Sequence, residues 1–280
     1  MSFTIPLRQK LSGGEQAAGA WLTLPSTAIA GTIARTQNVS WVLIDAEHGL
    51  INDTHLYDLA NVIAANGASP IIRVPSEETW LIKEPLDSGA HGLMVPMANS
   101  VEIVRGIVRA TKYPPVGIRG FGPMFTGATG ALGGAYAAAA NSELVISVQI
   151  EHPQAVAEIE EICQEGIDVV FIGPFDLALS MGVQFGSEAH EAAISKILAS
   201  AKKHGKVAAI FCLNGEQAAK RFAQGFQMVS VTTDIDTLTT AFANELTAAT
   251  GKNTDAVKGY ISLYIIVKSW VDTTKNRDHW

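Results

Sequence analysis

Eight short apolar runs, each followed by a helical stretch, constrain this chain more than any other feature of its sequence. The runs fall at 18–24, 41–45, 70–74, 92–95, 145–151, 169–172, 207–211 and 228–231, mostly rich in Val, Ile and Leu and bounded by Gly, Pro, Asn or Asp. They do not alternate apolar with polar residues, which suits strands covered on both faces, as in a parallel sheet. Between them lie amphipathic stripes at helical spacing: Leu56, Leu59 and Ile63; Val101, Val104 and Val108; Val156, Ile159 and Ile162; Ile194, Ile197 and Ala201. Asn52-Asp53, Asn99-Ser100, Ser187 and Asn214 supply helix-start signals before helical runs.

Strands alternating with helices build either a doubly wound open sheet or a closed barrel, and a count of eight favours a (β/α)8 TIM barrel. No Gly-x-Gly-x-x-Gly opens a helix after the first strand, which weakens the dinucleotide-binding alternative. The stretch 117–134, rich in Gly, Thr and Ala, breaks the rhythm and reads as a long loop with a short helix, the form that lids and substrate loops take. No internal repeat is visible. A length of 280 residues accommodates one barrel domain over 1–259 and a C-terminal extension over 260–280. Ile261, Leu263, Ile265, Ile266 and Trp270 in that extension can pack on the barrel or on a partner subunit, or the extension can be a poorly ordered tail.

With 48% hydrophobic and 17% charged residues the chain has the composition of a buried globular domain. A net charge of −7 without any dense basic run argues against nucleic acid. Cys163 and Cys212 form neither a disulfide framework nor a zinc spacing, so a reducing compartment is expected. The N-terminus lacks the charged and apolar regions of a secretory signal, and the apolar stretch 260–267 is shorter than the roughly 20 residues a membrane helix needs. A cytoplasmic protein without membrane contact is the expectation.

Barrels carry their chemistry at the C-terminal strand ends. Asp45, Glu47, His48, Arg73, Gln149, Glu151 and Asp176 all fall there. Glu151 and Asp176 follow neighbouring strands, and two such carboxylates can share a hard cation that keeps positions for water and substrate; each can instead cap the helix that follows it. Arg73 suits a planar oxyanion, or a structural ion pair. His48 can carry a proton near neutral pH, with Asp45 or Glu47 to orient it, or can be a satisfied polar residue. No lysine ends a strand, which disfavours a Schiff-base aldolase, and the ends of the last two strands lack a phosphate cradle. A barrel that only binds ligand has no need of base, cation ligands and oxyanion stabiliser together.

These pieces resemble the HpcH/HpaI aldolases, the 4-hydroxy-2-oxoheptanedioate or 2,4-dihydroxyhept-2-ene-1,7-dioate aldolase family. The resemblance runs from about Leu11 to Thr250 and rests on Trp41-Val-Leu-Ile-Asp-Ala-Glu-His48, Ile72-Arg-Val-Pro75, Leu86-Asp-Ser-Gly-Ala90, Val95-Pro-Met97, Tyr113-Pro-Pro-Val-Gly-Ile-Arg-Gly120, Val148-Gln-Ile-Glu151 and Phe171-Ile-Gly-Pro-Phe-Asp-Leu177.

The resemblance implies a phosphoenolpyruvate/pyruvate-type barrel and a class II aldolase that cleaves or forms 4-hydroxy-2-oxo acids through a pyruvate enolate. Its partners would be a 2-oxo acid and an aldehyde, and its cofactor Mg2+, Mn2+ or Co2+. Glu151 and Asp176 would hold the cation, and His48 would be the base, with Asp87 raising its basicity. Arg73 would stabilise the enolate oxygen, Gln149 would contact the pyruvate part, and Gly173, Pro174 and Phe175 would line the site. The resemblance also implies a homo-oligomer, a hexamer built as a trimer of dimers. The same enolate serves oxaloacetate decarboxylases and macrophomate-synthase-like enzymes, which stand as the alternative. Two departures stand out: Phe175 occupies a position that is commonly small, and 121–130 lacks the arginines that suit an acidic aldehyde. The dicarboxylic substrate is therefore not carried over.

Overall fold

A computed structural model describes residues 3–253. The C-terminal extension 260–280 lies outside the described residues. Eight parallel strands close into a barrel in sequence order: β1 (Ala17–Leu22), β2 (Trp41–Asp45), β3 (Ser69–Arg73), β4 (Gly92–Val95), β5 (Val145–Ile150), β6 (Val169–Ile172), β7 (Val207–Ile210) and β8 (Met228–Thr233). The (β/α)8 expectation is met. Strand limits shift where other acceptors take over the backbone. The first run stops at Leu22 because the N–H groups of Thr23 and Leu24 both donate to Asp234, each at 2.9 Å, instead of to a ladder. The last strand runs to Thr233, pairing it with Trp21 beyond an irregularity in the β1–β8 register.

The barrel interior is filled by large rings. Trp41, Phe171, Trp21 and Phe211 form a chain of contacts, with centroid separations of 6.4, 5.8 and 5.1 Å between Trp41–Phe171, Trp21–Phe171 and Trp21–Phe211. Gly19 makes this possible: a methyl there would overlap the Trp41 indole. Small residues opposite large ones are how a tapering barrel packs without voids.

All four helix-start signals act as caps: Asn52, Ser100, Ser187 and Asn214 accept from the backbone N–H groups of Thr54, Ile103, His190 and Gln217. Two stripes need correction. Helix Val101–Thr111 buries Val104, Ile107, Ala110 and Thr111, while Val101 and Val108 are only partly covered. The stripe Val156, Ile159, Ile162 spans two short helices, Pro153–Ala157 and Ile159–Ile162, separated at Glu158. The stretch 117–134 holds one 3-10 turn, Thr126–Thr129, before helix Gly133–Glu143 begins.

A short helix, Pro6–Ser12, closes the N-terminal face of the barrel with Leu7 and Leu11 turned inward. Its ties reach the starts of three strands: Leu7 N–H donates to Ser69 Oγ at 3.1 Å, Arg8 pairs with Asp168, and Gln227 donates to the Leu11 carbonyl at 2.6 Å. The opposite face is left open for chemistry.

Candidate active site

At the open face, β2 ends in Asp45, β3 in Arg73 and β4 in Val95; Glu151 stands one residue past β5, and Gly173 follows β6. Arg73 organises the group. Its Nε and Nη2 donate to Asp45 Oδ1 and Oδ2 at 3.0 and 2.6 Å, a two-pronged grip that fixes the guanidinium plane. Nη1 lies 3.4 Å from Gln149 Oε1 and pairs with Glu47 Oε2 at 2.8 Å, outside good hydrogen-bond alignment. Trp21 backs the cation, its ring 4.9 Å from the guanidinium carbon, and its indole N–H donates to Asp45 Oδ2 at 2.9 Å. Burial opposes the Asp45 anion, but Arg73 and the surrounding donors hold its carboxyl below the ordinary range.

The network continues through Gln149, whose Nε2 donates to Glu151 Oε1 at 2.9 Å, while the Met97 N–H donates to Glu151 Oε2 at 2.9 Å. Met97 has a left-handed backbone, with φ of 51°, which turns its N–H toward the carboxylate. Glu151 is 3% exposed, and burial pushes its carboxyl up to about 7; Asp176 and Glu47 add like-charge repulsion, against the Met97 hydrogen bond and Arg73. Glu47 is raised for the same first reason, burial, with Arg73 and His48 opposing.

Asp176 sits in the first turn of helix Pro174–Ser180, which starts directly after Gly173 with Pro174 at its first position. A methyl on Gly173 would overlap the Glu151 carboxylate, so glycine is what lets this carboxylate lie against β6. Glu151, Asp176, Arg73, Gln149, Gly173, Pro174 and Phe175 line one small cavity together with Trp21 and Phe211. Seven of the nine residues to which the resemblance gives a role therefore meet in one place.

His48 stands at the rim, its side chain 62% exposed, with Nε2 3.5 Å from Glu47 Oε1; its backbone N–H donates to Asp45. Asp87 lies apart from His48 within this chain. It ends helix Thr79–Asp87 on the outer ring, and its carboxylate is taken by Arg119 Nη2 at 2.7 Å. Arg119 is itself clasped between the Tyr113 and Tyr136 rings, at 4.6 and 5.3 Å. This charge-assisted bond turns Asp87 toward an outer groove beside Trp80, Lys83 and Phe125, and among the described residues it makes no ion pair with His48. The carboxylate beside His48 within this chain is Glu47.

Sequence reading missed Trp21, Phe211 and the Met97 backbone. Trp21 and Phe211 were inside or at the end of expected strands, but an aromatic residue there reads as core, and only the closed barrel turns them onto Arg73 and the cavity.

The cavity offers two neighbouring carboxylates, one of them buried and resisting ionisation, and among the described residues no group of three or more His, Cys, Asp or Glu that could hold a metal ion. A hard divalent cation suits such a pair, since Mg2+ is often bound through one or two carboxylates with water and substrate completing its shell. Fold and cavity together define a TIM barrel with an acidic pocket at the C-terminal ends of its strands, where barrel enzymes carry their chemistry.

The HpcH/HpaI aldolase/citrate lyase family model matches residues 17–241. The chain is 34% identical over 244 residues to the hydroxypyruvate/pyruvate aldolase of Paraburkholderia phytofirmans, covering 84% of this chain and 93% of that one. It is likewise 34% identical to the 2-keto-3-deoxy-L-rhamnonate aldolase of Escherichia coli, over 91% of this chain and 97% of the other. The crystal structure of an HpcH/HpaI aldolase/citrate lyase family protein from Burkholderia cenocepacia superposes with a TM-score of 0.82 at 32% identity, covering 88% of this chain and 99% of that one. This chain belongs to the HpcH/HpaI aldolase/citrate lyase family, and is a carbon–carbon lyase. No helix among the described residues is long and apolar enough to cross a membrane.

Proposed function

We propose that this protein is a class II pyruvate-type aldolase that cleaves and forms 4-hydroxy-2-oxo acids through the enolate of pyruvate. The observation that carries this reading is the buried Glu151, pushed up to about 7 beside Asp176, in the same cavity as Arg73 and Gln149. Glu151 and Asp176 would hold Mg2+, Mn2+ or Co2+, which supplies a Lewis acid for the oxygens of the 2-oxo acid. One relative is named for hydroxypyruvate and pyruvate and the other for a 2-keto-3-deoxy acid, names that support a 2-oxo acid as the reacting partner.

The chain's own residues account for the remaining steps. Arg73, immobilised by Asp45 and Trp21, presents Nη1, which pairs with Glu47, toward Gln149 and the cavity, where negative charge develops on the keto oxygen. A donor fixed in advance needs no reorganisation when that charge appears. Gln149 is held by its bond to Glu151 and sets the orientation of the acid. His48, at the open rim with Glu47 at 3.5 Å, takes the proton of the 4-hydroxyl in cleavage and returns it in addition. Asp87, to which the resemblance gives the role of raising the basicity of His48, is bound by Arg119 within this chain.

The test is pyruvate release from 4-hydroxy-2-oxo acids with added cation, followed by coupling to a lactate dehydrogenase. Cleavage should stop on chelation and in Glu151→Gln. Activity indifferent to both would sink the assignment, and turnover confined to oxaloacetate would favour the decarboxylase alternative. A homo-oligomer belongs to the same proposal, supported by exposed Trp80, Phe121, Met124 and Phe125 on the outer face; light scattering of the purified chain tests it.

A further inference from the structure

The lining of the cavity is divided. Arg73, Gln149, Glu151 and Asp176 form its polar side, while Trp21, Pro174, Phe175 and Phe211 form an apolar side. A 2-oxo acid has its oxygens at C1 and C2, which belong against the polar groups. Its C3 is then left facing the rings. The free space is only about 30 Å³.

Phe175 is the partly buried ring on that side, and its neighbours hold it in place. It lies in the first turn of helix Pro174–Ser180, directly after the proline that fixes the backbone there. Its ring stacks on Phe185 with centroids 4.7 Å apart and planes at 15°, and meets Phe211 edge-on at 6.2 Å. Phe185 in turn packs against His190 at 5.2 Å, and that histidine is buried and accepts the Gly186 N–H at 3.0 Å, which ties down the loop carrying Phe185. An unbroken line of rings thus backs Phe175 from outside, and Phe211 and Trp21 continue it to Arg73.

We propose that Phe175 is a specificity-determining residue that restricts the nucleophile to a 2-oxo acid with an unsubstituted C3 methyl, and so to pyruvate. This rests on the aldolase reading above. A methyl at C3, as in 2-oxobutanoate, meets a ring backed by Phe185. A hydroxyl at C3, as in hydroxypyruvate, would be desolvated against hydrocarbon with no partner. One extra methylene in a tight apolar pocket discriminates by about 10–200-fold.

Proton exchange at C3 tests this without any assumption about the aldehyde. In D2O with Mg2+, the full-length protein takes a C3 proton from the 2-oxo acid, and a solvent deuteron replaces it as the enolate returns; proton NMR follows the loss of signal. The wild-type protein should exchange pyruvate and leave 2-oxobutanoate and hydroxypyruvate nearly untouched. Phe175→Ala should raise the 2-oxobutanoate-to-pyruvate rate ratio by about 10–200-fold, and Phe175→Leu, which retains more of the packing, should raise it less. Phe185→Leu, by removing the backing ring, should move the ratio in the same direction. A wild-type protein that exchanges all three acids alike, or variants with an unchanged ratio, would overturn the role of Phe175 while leaving the aldolase reading standing. A wild-type protein that neither exchanges pyruvate nor releases it from 4-hydroxy-2-oxo acids would overturn both.

Discussion

A carboxyl buried at a barrel mouth carries a measurable penalty, and Glu151 makes that penalty readable by pH. Its ordinary value is 4.5 and burial brings it to about 7. Between those limits the folded chain keeps a proton that the unfolded chain has released, so stability is full below about 4.5 and falls as pH rises through 7. The difference corresponds to roughly 3 kcal/mol. Urea unfolding in chelator should therefore show Glu151→Gln more stable than wild type at pH 8, by up to about that amount, and less dependent on pH between 5 and 8; parallel pH profiles would contradict it. Arg73 makes the complementary case. Lysine keeps the charge but loses the two-pronged grip on Asp45 and the flat contact with Trp21. Arg73→Lys should lower kcat for pyruvate release about 10²–10³-fold, with a circular dichroism spectrum like that of wild type. At this scale the sequence was most legible where a polar or charged residue ends an apolar run, as with Arg73, Gln149 and Glu151. It was least legible where the partner is aromatic, as with Trp21, or lies on a different element, as with Asp45, whose carboxylate serves Arg73 and gives His48 only backbone support.

Elements place these side chains, and Gly173 is the position where an element and the site collide. Its backbone, with φ of −89° and ψ of 91°, suits any residue, so glycine is not required there by conformation. What requires it is the Glu151 carboxylate packed against its Cα. Gly173→Ala should then leave helix Pro174–Ser180 intact and displace the carboxylate, weakening Mn2+ binding about 10–100-fold, the usual effect of disturbing what orients a ligand. Calorimetric titration reads this directly, and unchanged affinity would mean that Glu151 does not hold the cation. The same scale shows why some helices were visible from sequence and one was not. Asn52, Ser100, Ser187 and Asn214 announce their helices chemically. Helix Pro6–Ser12 has Ile5 at its cap position, with no side-chain cap, and spans only seven residues, so neither capping nor periodicity marks it. Asp87 was legible only through the family motif Leu86-Asp-Ser-Gly-Ala90, and its direction depends on Arg119, over thirty residues away in the chain and placed by the turn after helix Val101–Thr111.

The whole molecule divides its labour between two faces. Strand C-termini carry the acidic cavity, and strand N-termini carry the seal, so stability and chemistry should respond separately to substitution. Arg8 is the sharpest probe of that division. From the closing helix it pairs with Asp168, just before β6, and donates to the Ser142 carbonyl at the end of helix Gly133–Glu143. Asp168 also accepts the Ile146 N–H at 2.9 Å, which couples the seal to the start of β5. Arg8→Ala removes the cation while leaving its partners partly buried, a change that typically costs about 1–3 kcal/mol. Urea midpoints should fall accordingly, and kcat/KM for pyruvate release at low temperature should stay within about twofold of wild type, the two faces being a barrel length apart. A large loss of activity in an Arg8→Ala protein that remains folded would show that the seal transmits strain through β5 and β6 to Glu151 and Gly173, and the two faces could no longer be treated as independent.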